Sequence, residues 1–80
     1  MLLVAEIAHH ICVVDGENKL DPHKLGNEIA GFLIDRGLIV TEDDEIAVTN
    51  FAADANPDKK VGAGRMAELI VAEFGLDEES

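Results

Sequence analysis

Three histidines and one cysteine are the residues of this chain that could supply nitrogen and sulfur ligands to a metal ion such as zinc. His9, His10 and Cys12 lie close together near the amino terminus, and His23 follows later in the sequence. Imidazole nitrogen and thiolate sulfur are the ligands that zinc prefers. Their spacing does not make a site, because the chain has no Cys-x-x-Cys pair and successive helical residues point about 100° apart. The sequence therefore predicts neither a metal site nor a bound cofactor.

Motifs for calcium binding, phosphate binding and nucleophilic catalysis are incomplete. The acidic segment that begins at Asp15 has Leu20 and Gly26 where a calcium loop requires glycine and glutamate. Residues 61–65, Val-Gly-Ala-Gly-Arg, lack the pattern of a phosphate-binding loop. The sole serine, Ser80, does not lie in the sequence context of a nucleophile. We therefore predict that the protein is not an enzyme.

The most concentrated charge is a run of four carboxylates at residues 42–45. Carboxylates at successive positions repel one another and require solvent or cations around them. One interpretation is a solvated turn with no further role. The other is a binding patch for an Arg/Lys-rich protein surface, because complementary charge speeds encounter and sets specificity. The second interpretation predicts these partner-binding residues: Glu42, Asp43, Asp44, Glu45, Asp54 and Asp58.

The chain as a whole is strongly acidic. Six Lys and Arg residues stand against seventeen Asp and Glu residues, which gives a net charge of −11. Nucleic-acid affinity depends largely on basic side chains that displace counterions from phosphates, so this balance disfavours nucleic acid as a partner. The charge favours a partner with a basic surface, or it serves only to keep a small, apolar-rich chain soluble.

Length and composition bound the architecture and the cellular setting. A chain of 80 residues buries too little surface to form two cores. We therefore expect one domain over residues 1–80, with residues 76–80 as a frayed acidic tail. One cysteine, no signal segment and apolar runs too short to span a membrane favour a soluble cytoplasmic protein with no membrane partner.

Residues 2–14 predict a first helix that is apolar over a wide arc. Leu2, His9 and Val13 lie on the side opposite its core face. Such an arc is covered either by two neighbouring elements or by another subunit. We therefore predict a homodimer that forms through this helix or through the last one, and we assign Leu2, His9 and Val13 to its surface on this helix. The residues predicted to face the core are Val4, Ile7, Ala8, Ile11 and Val14.

The second helix has clear signals at both ends. Asp21 is a suitable N-cap, Pro22 occupies the first helical position, and Gly37 follows the predicted last turn. Gly26 and Gly31, inside this helix, would allow a neighbouring helix to approach closely.

A last helix is predicted at about residues 61–74, with Gly75 ending it. Its predicted core face consists of Ala63, Met66, Ala67, Ile70 and Phe74.

The segment between these helices has two interpretations. Leu38–Val40 and Ile46–Phe51 flank a polar break, and the period-two alternation of β-branched residues favours a hairpin. Alternatively, Thr41 caps a helix whose acidic first turn suits the helix dipole. Ile46 and Val48 would then point to opposed faces. We therefore predict a mainly α (small α+β) fold of about three helices, with a short β-hairpin between helices two and three.

Residues 20–51, LDPHKLGNEIAGFLIDRGLIVTEDDEIAVTNF, resemble the back half of a winged helix-turn-helix domain. In that family a recognition helix ends in a Gly-Leu-Ile-like step, and a hairpin called the wing follows. The resemblance implies a helix in the DNA major groove and basic residues on helix and wing that hold phosphates. Here the tip of the wing is acidic. Winged-helix scaffolds also serve as protein-binding modules, which suits this surface.

Three functional hypotheses follow. The leading one is a small, acidic, non-enzymatic protein-interaction module that binds a basic protein surface, as suits a phage or mobile-element protein that modulates a host factor. The second is an acidic DNA mimic that inhibits a nucleic-acid-binding or defence protein. The third is a transcriptional regulator of the winged-helix type. The second hypothesis requires one face that carries Asp43, Asp44, Asp54, Asp58 and Glu68 as phosphate surrogates.

Overall fold

The computed structural model describes residues 2–76 and contains four α-helices within them. The helices predicted near the amino terminus, after Asp21 and near the carboxyl terminus are confirmed. Of the predicted tail, residues 77–80 lie outside the described residues. None of the helices within residues 2–76 has the length and apolar character needed to cross a membrane. The helices are α1 (Leu3–Asp15), α2 (Pro22–Asp35), α3 (Glu42–Ala55) and α4 (Ala63–Phe74).

The predicted fold class is wrong because residues 42–55 are helical. Residues 2–76 contain no strand, so the expected three helices with a β-hairpin are four helices, with α3 in place of the hairpin. Thr41 has an extended backbone with φ −105° and ψ 154°, and its Oγ1 accepts a hydrogen bond from the backbone N–H of Asp44 at 3.1 Å. This geometry is the N-cap of the alternative interpretation. The hairpin that would form a wing is absent from the described residues.

Local helix signals compete with the strand-like alternation at residues 46–51. The first turn of α3 carries four acidic residues, which the positive end of a helix dipole stabilises. The second half of α3 is rich in alanine, the strongest helix former. As a helix, α3 buries Val48 completely and leaves Ile46 51% exposed. The alternation therefore reflects one core residue and one surface residue of a helix.

The ends of α2 and α4 follow their sequence signals. The Asp21 carboxylate accepts a hydrogen bond from the backbone N–H of His23 at 3.0 Å, and Pro22 is the first helical residue. Gly37 follows the end of α2 with φ +72°, and Gly75 ends α4 with φ +58°. Glycine adopts this left-handed conformation at the lowest cost, so both stops are confirmed.

Aliphatic side chains from all four helices form the core. Burying one such side chain completely stabilises a fold by about 1.5–3 kcal/mol. Leu3, which the predicted core face of the first helix did not include, is fully buried. Phe51 of α3 and Phe74 of α4 pack edge to face with ring centroids 5.7 Å apart. The largest fully buried side chains are Leu3, Ile7, Ile29, Leu33, Val48, Met66 and Ile70.

α2 and α3 form the most extensive helix pair of the fold. A Cβ added to Gly26 would lie 2.6 Å from the carbonyl oxygen and 2.9 Å from the Cα of Thr49. The two backbones can therefore approach this closely only because residue 26 has no side chain. At Gly31 an added Cβ would meet nothing within 4 Å. The predicted role in close helix approach is confirmed for Gly26 and wrong for Gly31.

Two asparagines join the loop before α2 to the loop before α4. Asn56 is 2% exposed. Its Oδ1 accepts a hydrogen bond from the Val61 N–H at 2.9 Å, and its Nδ2 donates to Asn18 Oδ1 at 3.2 Å. Asn18 Nδ2 in turn donates to the Lys59 carbonyl oxygen at 2.6 Å. These bonds fix the carboxyl end of α3 against the opposite loop.

Candidate protein-binding site

The four consecutive carboxylates, Glu42, Asp43, Asp44 and Glu45, form the first turn of α3, here called the acidic turn. All four residues are exposed. Among residues 2–76, no Lys or Arg side chain forms an ion pair with any of them. Four residues advance about 6 Å along a helix axis and point about 100° apart, so the four carboxylates surround the exposed start of α3.

The start of the helix accounts for part of this charge. Thr41 satisfies the backbone N–H of Asp44. Carboxylates near the positive end of a helix dipole each contribute about 0.3–1 kcal/mol at an exposed site. Helix stability therefore explains why acidic residues are favoured at residues 42–45. The carboxylates of these residues remain on the surface, where cations of another molecule can reach them.

A shallow groove between α2 and α3 adjoins the acidic turn and has a volume of about 260 Å³. We call it the α2–α3 groove. Glu45 belongs both to the groove and to the acidic turn. Ile46 lines the groove with an apolar side chain that is half exposed. The groove is lined by His23, Asn27, Glu45, Ile46, Thr49 and Asn50.

Thr49 connects the two helices of the groove. Its Oγ1 lies 3.1 Å from Asn27 Oδ1 of α2 and 3.0 Å from the Glu45 carbonyl oxygen of α3. One hydroxyl hydrogen serves one of these acceptors at a time. Thr49 is buried and Asn27 is exposed. The groove therefore has the Thr49 hydroxyl at its base and accessible amide, carboxylate and aliphatic groups around it.

The remaining predicted partner-binding residues lie apart from the acidic turn. Asp54 follows Asp43 by three turns, so the two share one face of α3 about 16 Å apart along the axis. Ala47 and Asn50 lie between them on that face. Asp58 lies in the loop after α3. The structure therefore groups residues 42–45 and separates Asp54 and Asp58 from them, and α3 alone supplies no continuous row of carboxylates.

The predicted dimer residues lie together on the outer side of α1 and its N-cap. Leu2 is 54% exposed, Val13 is 69% exposed, and His9 is also exposed. No neighbouring helix within residues 2–76 covers these side chains.

Sequence reasoning missed a second pocket between α1 and α2, with a volume of about 550 Å³. The ring of Phe32 packs against His10 with centroids 4.8 Å apart, and the Arg36 guanidinium lies 5.1 Å from the Phe32 centroid. Arg36 also pairs with Glu6 of α1. His10 Nε2 is buried without a hydrogen-bond partner, 3.8 Å from Glu28 Oε1. These contacts link α1 to α2.

The sequence carries a signal for this pocket, since Glu28, Phe32 and Arg36 recur every four residues on one side of α2. The α2–α3 groove could have been predicted only with the helical interpretation of residues 42–55. In that interpretation Ile46 leaves the core and lies beside the exposed side of α2.

Metal binding has no support in the side-chain arrangement of residues 2–76, where no group of three or more His, Cys, Asp or Glu residues could hold an ion. Comparisons with protein families, with curated proteins and with solved structures find no match. We therefore infer function from the groove, the acidic turn and the surface charge.

Proposed function

We propose that the protein is a non-enzymatic protein-interaction module that binds a basic segment of another protein. The segment lies along the α2–α3 groove and places its cationic side chains against the acidic turn. The observation that carries this proposal is the position of residues 42–45. Four exposed carboxylates without Lys or Arg partners in residues 2–76 lie beside a groove that has an exposed aliphatic side chain.

The charge of the acidic turn determines the class of partner. Arg or Lys side chains that approach residues 42–45 replace like-charge repulsion with attraction, and they meet no competing cation of the described chain. The net charge of −11 adds a long-range attraction for the same partners and repels nucleic acid. Salt screens both effects over a distance of about 10 Å at 0.1 M ionic strength. Binding therefore weakens as salt concentration rises.

The groove adds contacts that charge alone does not provide. Ile46 offers an apolar surface to an aliphatic side chain of the partner, while Asn27 and Asn50 offer amides to its backbone. Glu45 joins the two parts of the site, because its carboxylate belongs to the acidic turn and lines the groove. The partner that fits is thus a segment in which Arg or Lys residues alternate with aliphatic residues.

The proposal can be tested with a short labelled peptide that alternates Arg and Leu, measured by fluorescence anisotropy. The variant E42Q/D43N/D44N/E45Q removes four charges from the acidic turn. The matched control E17Q/D35N/E68Q/E73Q removes four charges from exposed positions elsewhere. Exposed ion pairs contribute about 0.2–1 kcal/mol each, so we expect the first variant to bind the peptide about tenfold or more weakly than the control.

Equal affinities of the two variants for the peptide would show that only net charge matters, and the proposed site would then be wrong. A peptide with Gln in place of Arg distinguishes the contribution of the acidic turn from that of the groove. We expect it to bind far more weakly than the Arg peptide to the unsubstituted protein. Far-UV circular dichroism of both variants establishes that any loss of binding does not come from loss of helix.

A further inference from the structure

The outward side of α1 carries no charged residue. We call this side, with the capping residue at each end of the helix, the α1 outer face. Its residues recur at intervals that keep them on one side of a helix, opposite the buried Ile7. All of them are exposed. The α1 outer face consists of Leu2, Ala5, His9, Cys12, Val13 and Gly16.

This face is unusual for the molecule, because each of the other three helices exposes charged side chains. Lys24 and Glu28 are exposed on α2, residues 42–45 on α3, and Arg65 and Glu68 on α4. In a chain with a net charge of −11, the α1 outer face is therefore the helix surface with the least electrostatic cost for contact with another acidic molecule.

The two acidic residues of α1 both interact within the chain. Glu6 pairs with Arg36 at the end of α2. Asp15 Oδ1 accepts hydrogen bonds from the backbone N–H groups of Lys19 at 2.6 Å and Leu20 at 3.1 Å. The charge of Glu6, which borders the face, is thus paired with a cation of the same chain.

We propose that the α1 outer face binds a second copy of this chain, α1 against α1. A basic partner finds no carboxylate there and gains more at the acidic turn. A second copy carries the same charge of −11, so an uncharged, partly apolar surface is where the two copies meet with the least repulsion. The contact is symmetric, with the same surface used by both copies.

The size of the face limits the strength of this dimer. A helix of 13 residues is about 20 Å long and about 10 Å wide. A standard stable interface buries about 800 Å² on each partner, and a single helix face is smaller. We therefore expect a reversible dimer with a dissociation constant on the order of 100 µM.

The same change, valine to glutamate, at two positions distinguishes a dimer contact through this face from a contact through the rest of the surface. Val13→Glu places a charge on the α1 outer face, where Val13 is 69% exposed. Val40→Glu places the same charge on the loop before α3, where Val40 is 84% exposed. Because both side chains are exposed, neither change disturbs the core. Ala5→Glu, in the first turn of α1, is a second variant of the face in which the helix dipole favours the new charge.

Analytical ultracentrifugation of the unsubstituted chain and the three variants, in reductant, tests the proposal from about 10 µM to about 1 mM. We expect the unsubstituted chain and Val40→Glu to dimerise with similar constants. Val13→Glu and Ala5→Glu should dimerise at least about tenfold more weakly. Reductant keeps Cys12 from forming a disulfide that would imitate the dimer.

A monomer at every concentration would overturn the proposal, and so would a dimer that Val13→Glu and Ala5→Glu leave unchanged. Salt distinguishes this contact from partner binding at the acidic turn. Screening reduces repulsion between two acidic copies, so the dimer should strengthen between about 50 mM and about 500 mM salt. Binding of the Arg-Leu peptide should weaken over the same range, and either result can fail without the other.

Discussion

Replacing each of two glycines of α2 by alanine tests how closely α2 and α3 pack. Both glycines lie inside α2, where exchange of glycine for alanine favours the helix by about 1 kcal/mol. At Gly31 the new methyl group meets nothing within 4 Å, so Gly31→Ala should raise the free energy of unfolding by about 0.5–1 kcal/mol.

At Gly26 the same gain is opposed by a clash. The new Cβ would lie 2.6 Å from the Thr49 carbonyl oxygen and 2.9 Å from its Cα, and these backbone atoms can move only if α3 moves. Overpacking of this kind costs about 1–3 kcal/mol. Gly26→Ala should therefore lower the free energy of unfolding, by up to about 2 kcal/mol after the helix gain is included.

Thermal unfolding of both variants, followed by far-UV circular dichroism, measures the difference. For a domain of this size each kcal/mol shifts Tm by about 4–8 °C. We expect Gly31→Ala to unfold above the unsubstituted protein and Gly26→Ala to unfold below it. If the two alanine variants gain stability equally, the close approach of α2 and α3 is refuted, and with it the position of the groove.

Two further predictions concern the ends of α3. Thr41→Ala removes the hydroxyl that caps α3, and we expect a loss of about 1 kcal/mol of stability in urea unfolding; unchanged stability would count against a helix start at Glu42. Asn56→Ala removes the 2% exposed side chain that joins the two loops and leaves the Val61 N–H without its acceptor. We expect a loss of about 1–3 kcal/mol in the same assay, whereas a loss below that range would show that the loops are held together by other contacts.

The sequence predicts the structure correctly where residues carry strong local signals. Asp21, Pro22 and Gly37 mark the ends of α2 through capping and backbone geometry that operate within one helical turn. The 3.6-residue spacing likewise places Ile7, Met66 and similar side chains in the core.

The error at α3 arises because two local signals conflict. Ile46 and Val48 alternate as in a strand, while Thr41 and the acidic residues that follow it begin a helix. Tertiary packing decides between them: Val48 and the small residues of α3 pack against α2, where Gly26 provides the space. The sequence alone does not show how closely α2 and α3 approach each other.

Only part of the candidate site could be predicted from the sequence, because the groove depends on tertiary packing. Exposure of residues 42–45 follows from their charge alone, and the outward position of Leu2, His9 and Val13 follows from helical spacing. The α2–α3 groove depends on which two helices become neighbours. Its residues can therefore be grouped only when residues 42–55 are interpreted as a helix that packs against α2.

In our proposal, a basic segment binds along the α2–α3 groove against the acidic turn. Titration of the isotope-labelled protein with the Arg-Leu peptide, followed by NMR chemical shifts of the backbone amides, tests this most directly. We predict the largest shifts at the acidic turn and at Asn27, Ile46 and Asn50, with little change on α4. Shifts that spread evenly over all exposed carboxylates, or that centre on Glu68 and Glu73 of α4, would contradict the claim.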